Sequence, residues 1–169
     1  NAEEVSGAVR EIARRMDDAG EAASAFLIEE MAAPGTEIVI GGLIDPQLGP
    51  AVMLGAGGIY AEILKDTSFR LCPISRSDAC RMIDELRIAP ILKGARGKEG
   101  ADIEAIVAAL MALAGPEGLF TRNAGQIAEF DLNPLIARPD GLTAVDARIV
   151  LGEPTAPAVP ARERDFSRL

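Results

Sequence analysis

The residues that could do chemistry cluster near the end of the chain, in "EFDLNPLIARPDGLTAVDARIVL" from Glu129 to Leu151. Glu129, Asp131 and Asn133 recur at a spacing of two, which in an extended strand places three oxygen side chains on one face. Pro139-Asp140-Gly141 reads as a turn, with Pro fixing the entry φ and Gly accepting the positive φ that follows, so a second strand returns alongside the first. On it, Asp146 lies between Val145 and Ala147, and those neighbours predict a buried carboxylate in need of a partner. A two- or four-residue loop would set Asn133 and Asp146 on a common face; a three-residue loop breaks that parity unless a bulge restores it. Converging Asp, Asn and Glu oxygens make a hard-cation site of the magnesium type, which takes its remaining ligands from water and phosphates. The competing reading is a polar strand face that simply looks at water.

Three blocks in order, "LIEEMAAPGTEIVIGG", "DPQLGPAVMLGAGGIYAEILKD" and "EFDLNPL…AVDARI", resemble the ATP-grasp domain of NDP-forming acyl-CoA synthetases, relatives of the succinyl-CoA synthetase β subunit. The resemblance spans about residues 20 to 151. It implies an ADP-forming acid-thiol ligase using ATP/ADP and Mg2+, with CoA on partner domains and the phosphoryl group shuttled by a phosphorylated His on another domain or subunit. It further implies that Asn133 and Asp146, with Asp131 nearby, hold the metal, and that Glu30 and Met31 take the hinge position at the adenine edge. Glu37 becomes a nucleotide contact, and Arg70 a catalytic group near the phosphates. Gly57, Gly58, Glu62, Lys65 and Asp66 match a "GG-x-x-x-E-x-x-K-D" block whose first three residues become nucleotide-binding candidates. Leu92, Gly94, Arg96 and Gly97 match "L-x-G-x-R-G". The chain departs from the family pattern in having no His and in lacking most of the amino-terminal grasp lobe. A nucleotide-binding or regulatory module that turns nothing over is the alternative reading.

The elements that must position these residues follow from periodicity. Asn1 and Glu4 form a capping pair, and Val5, Val9, Ile12 and Met16 a single apolar stripe. Ala25 to Met31 reads as a strand, followed by strands in "TEIVIGGLID", from Ala51, and in "SFRLCPI". Gly55, Gly57 and Gly58 allow close backbone approach, yet form neither a GxGxxG nor a Walker pattern. Ser75 and Asp78 open a helix with Ala79, Met82, Ile83 and Leu86 on its apolar side, and Asp102 caps another, "DIEAIVAALMALAG", apolar on nearly all sides. Between them, Lys93, Arg96 and Lys98 make the one concentrated basic loop. The result is an α+β class chain, an ATP-grasp carboxy-terminal lobe with a mainly antiparallel sheet and helices packed on one face. Its expected divisions are 1–31, the end of the amino-terminal lobe and hinge; 32–151, the carboxy-terminal lobe; and 152–169, a Pro- and Ala-rich linker or tail.

With 169 residues, 49% of them hydrophobic, the chain can bury a core. A net charge of −9 and scattered arginines argue against nucleic acid as partner. Cys72 and Cys80, with no His to complete a zinc site, read as reduced cytoplasmic thiols. No signal peptide or membrane-spanning run is legible.

Overall fold

The computed structural model describes residues 1–58, 65–95, 97 and 99–152. The chain divides into two units, Asn1–Met31 and Ala32 onward. In the first, α1 (Ala2–Asp18) opens with a complete capping box: the Asn1 side chain accepts from the Glu3 and Glu4 amides, and Glu4 reaches back to the amino terminus. The expected stripe lies on this helix, but none of its residues is buried within its own unit. The strand expected over Ala25–Met31 is absent. Its residues have strand-forming character, but a strand exists only as a paired ladder, and no ladder partner faces them among the described residues.

The second unit runs β1 (Thr36–Asp45), β2 (Gly49–Ala56), β3 (Thr67–Leu71), α2 (Arg76–Glu85), α3 (Ala89–Leu92), α4 (Ile103–Ala114), α5 (Leu119–Arg122), β4 (Ile127–Arg138), β5 (Gly141–Ala144) and β6 (Ala147–Leu151). Every strand pairing is antiparallel, in the order β3-β2-β1-β4-β5, with β6 also on β4. Alternation along the strands sends Ile38 and Ile40, Val52 and Leu54, and Phe130 and Leu135 into a core shared with α2 and α4. On the opposite face Leu43 and Phe69 are exposed, while Val39 and Ile136 are buried. Among the described residues of this unit, helices therefore cover one face of the sheet, and the other is open around Leu43 and Phe69.

Local chemistry sets the helix ends. Ser75 and Asp78 form the expected reciprocal box on α2, whose buried side is Ala79, Met82 and Ile83. Asp102 accepts from the Ala105 amide at 3.0 Å to start α4. This helix is less enclosed than its composition predicts: Ile106, Val107, Leu110 and Ala114 are buried, while Ala108 and Ala112 on the far side are exposed. Residues 103–122 reach a mean hydropathy of 1.6, but α4 ends at Ala114 and α5 begins at Leu119, so no continuous helix there is as long as a bilayer core is thick. Two short helices, α3 and α5, had no sequence signal.

Both cysteines are free and half-buried. Burial pushes the Cys72 thiol up from its ordinary 9.0 to about 11. The sign follows directly: below pH 9 the thiol is neutral in both states, and as the pH rises towards 11 the unfolded chain ionises first and stability falls. Because only the thiolate alkylates, iodoacetamide at pH 8 should modify Cys72 about a hundredfold more slowly in the native chain than in urea. Equal rates in the two states would contradict this placement.

Candidate functional site

The carboxy-terminal hairpin is tighter than expected. Arg138 pairs directly with Gly141, so Pro139 and Asp140 alone make the loop, and the same register carries through to Leu132 opposite Ala147. Asn133 and Asp146 therefore stand across from one another, with the Asn133 amide donating to the Asp146 carbonyl at 3.3 Å. Opposed residues of this kind have Cβ atoms about 5 Å apart.

A bulge shapes the other side of β4. Between the pairs Ile38–Leu135 and Ile40–Leu132, β1 contributes only Val39 while β4 contributes Asn133 and Pro134. Pro134 has no N–H to give to a ladder, which suits it to a bulge. The extra residue resets the alternation, so Phe130 precedes it and Leu135 follows it on the same buried face.

The expectation that Asp146 is buried is overturned. Val145 and Asp146 join β5 to β6 and keep their backbone bonds to β4, the Val145 amide donating to the Pro134 carbonyl at 3.0 Å, but β5 and β6 pair with β4 alone, so the apolar neighbours sit at a sheet edge: Val145 is 52% exposed, and Asp146 is exposed too. One Asp146 oxygen accepts from the Ala147 amide at 2.8 Å. Glu129 is also accounted for, since Arg148 reaches it at 2.7 Å. Asp131 is half-buried, and no ion pair engages its carboxylate among the described residues. Two carboxylates and one amide oxygen are thus available on adjoining strands. No three His, Cys, Asp or Glu residues converge among the described residues, but magnesium asks for only one or two carboxylates plus phosphate oxygens. The donor set fits such an ion.

The open sheet face holds a cavity of about 490 Å³. Gly41 and Gly42 of β1 border it, with Leu43, Met53, Phe69 and Leu71 as apolar walls and Asp45, Arg70 and Glu129 as its charged neighbours. Asp131 adjoins this cavity, because a Cβ built on Gly41 would lie 3.6 Å from its Oδ1. Arg70 stands at the edge strand with its guanidinium engaged: Glu85 Oε1 accepts from Nη2 at 2.5 Å, and the Phe69 carbonyl and Ser68 hydroxyl accept from Nη1. The pairing raises the Arg70 pKa and lowers that of Glu85.

At the far end of β1, Glu37 and the glycines come together. The Gly57 amide donates to the Glu37 carbonyl at 2.8 Å, and the Glu37 carboxylate lies where a Gly58 Cβ would be, 2.5 Å from Oε2. Gly58 also has φ +55, a backbone conformation that favours glycine, whereas the Glu37 carboxylate could swing aside for a side chain. Glu30 and Met31 belong to the first unit, where Met31 is 90% exposed. Glu62, Arg96 and Lys98 lie outside the described residues, as does the expected tail from 153. A residue whose role had no sequence signal is Asp66, whose two oxygens accept from the Arg87 and Ile88 amides.

A model of the ATP-grasp domain matches residues 1–151. The chain belongs to the ATP-grasp family. This ATP-grasp chain is 49% identical over 127 residues to the β subunit of acetate–CoA ligase (ADP-forming) II of Pyrococcus furiosus, covering 74% of its own length and 52% of that subunit. The β subunit of ligase I from the same organism is 45% identical over 125 residues, with the same two coverages. The chain thus spans about half the length of these curated relatives. Among solved structures, acetyl-coenzyme A synthetase 1 of Ca. Korarchaeum cryptofilum in complex with coenzyme A and Mg-AMPPCP aligns with a TM-score of 0.66 and 49% identity, over 73% of this chain and 56% of that one. ACD1 of the same organism in complex with coenzyme A aligns at 0.75 and 45% identity, over 90% of this chain and 65% of that one. The mostly antiparallel sheet with helices on one face is an ATP-grasp fold.

Proposed function

We propose that this ATP-grasp chain is the nucleotide-binding part of an ADP-forming acyl-CoA synthetase, and that it carries phosphoryl groups between a phosphohistidine on another domain and Mg-ADP. The observation that carries the reading is the cavity on the open sheet face, adjoining Asp131 on the strand that also bears Asn133. The nucleotide analogue and CoA in the Korarchaeum complex support it.

In this reading the protein's work is placement and electrostatics. Asp131, Asn133 and Asp146 would hold magnesium, which when bound offsets charge on the nucleotide phosphates. Glu37, with Gly57 and Gly58 packed against it, is a candidate contact to the nucleotide. Glu30 and Met31 remain the hinge candidates, and Arg70 the candidate contact to phosphate. In the transfer itself, the bond from phosphorus to the histidine nitrogen breaks as one forms to the terminal oxygen of ADP. The chain has no His, so that group comes from a partner domain or subunit, which would also hold CoA and the acyl substrate.

The test is thermal. Saturation at about 100 times Kd adds about 2.7 kcal/mol, so Mg-ADP should raise the melting temperature by roughly 5 to 10 °C. Asn133→Ala and Asp146→Ala should each abolish the rise, as should chelation of the metal. A wild-type chain whose melting is indifferent to Mg-ADP would sink the proposal.

A further inference from the structure

Two adjacent glycines occupy the middle of β1, and their surroundings differ. Gly42 faces the core, where a Cβ would collide with the Phe130 ring at Cε1, Cδ1 and Cζ. Phe130 is 3% exposed and packed edge-on against Phe120, so the fold itself excludes a side chain at Gly42. At Gly41 the fold raises no such objection. The nearest atoms to its Cβ position are the Phe130 carbonyl oxygen at 3.5 Å, Asp131 Oδ1 at 3.6 Å and Met53 Cε at 3.7 Å, all ordinary van der Waals contacts. Its φ also lies outside the left-handed region. Glycine inside a strand is a poor choice for stability, since it adds backbone entropy to the unfolded chain and packs nothing. An alanine there would fit the protein and strengthen the strand. What it would occupy is the floor of the cavity, beside Asp131.

We infer that Gly41 lacks a side chain for the ligand's sake, keeping bare backbone beside Asp131 so that a metal-bound nucleotide phosphate can approach the sheet. This rests on the nucleotide reading above and adds a residue that decides which groups the site admits. A glycine in a strand interior often marks such an approach. The neighbouring Gly42 serves as an internal comparison, because its requirement comes from packing alone.

The experiment measures melting of the ligand-free chain and Mg-ADP affinity by calorimetric titration for wild type, Gly41→Ala, Gly41→Val and Gly42→Ala. Gly41→Ala should melt at the wild-type temperature or up to about 5 °C above it, while its Kd for Mg-ADP rises about tenfold or more, and further in Gly41→Val. Gly42→Ala should melt lower. A Gly41→Ala chain that binds Mg-ADP as wild type does overturns this inference alone. A ligand-free Gly41→Ala chain that melts well below wild type overturns it as well, by showing that the fold needs the glycine. Absence of binding to wild type removes the nucleotide reading first, and this inference with it.

Discussion

Phe120→Ala should lower the unfolding free energy by about 3 to 5 kcal/mol, a large share of the roughly 5 to 15 kcal/mol that holds a typical domain together. Phe120 is fully buried, and its ring meets that of Phe130 edge-on, with centroids 5.0 Å apart and planes at 66°. Such pairs add about 0.5 to 1.5 kcal/mol beyond the area they bury. A cavity of about 60 Å³ already lies beside it, lined by Leu113, Ile127 and Leu132 among others. Truncation would enlarge this space instead of letting neighbours close in, because the walls come from four separate elements, the sheet included. In urea the midpoint should fall with the slope unchanged. Phe120→Leu, which keeps most of the volume, should cost much less. A Phe120→Ala cost below about 1 kcal/mol would mean that α5 is not anchored to the sheet as described.

What the sequence revealed and what it hid divide by range. The capping boxes of Asn1 with Glu4 and Ser75 with Asp78 were legible, because both partners lie within one turn and the chemistry is local. So was the buried side of α2, since a stripe at helical spacing needs no knowledge of its partner. Glu129 and Asp131 could be placed on one face of β4 for the same reason, as alternation is a property of one strand, whereas Asn133 falls in the bulge, where alternation resets. The state of each oxygen could not be read. That Arg148 takes Glu129 depends on pairing across the hairpin, and the exposure of Asp146 depends on lying at the sheet edge. Val145 and Ala147 look like core residues only if a second layer covers them. The bulge of Asn133 and Pro134 against Val39 is likewise invisible without β1, nearly 100 positions upstream. Ala25–Met31 failed as a strand because propensity describes the residue, whereas a ladder requires a neighbour.

Asp66 carries the same lesson into a prediction: Asp66→Ala should cost about 2 to 5 kcal/mol, in the chain without any ligand. The residue falls in a block that resembles a functional motif, and its spacing says nothing of what it touches. In the folded chain the residue is 6% exposed and its carboxylate is turned towards the segment after α2, where one oxygen accepts from the Arg87 amide at 2.8 Å and the other from the Ile88 amide at 2.9 Å. Ile88 is itself buried, at 1% exposure. Water therefore has little access to replace the lost acceptors, and each stranded N–H costs about 1 to 3 kcal/mol. Asp66→Asn keeps one acceptor oxygen but turns a donor towards the second N–H, so it should recover only part of the loss. Chemical denaturation measures both variants. A structural clamp predicts that Mg-ADP affinity of the folded chain is unchanged in Asp66→Asn while stability falls. Full stability with weakened Mg-ADP binding would move Asp66 into the nucleotide site and leave the Arg87–Ile88 turn to be held by something else.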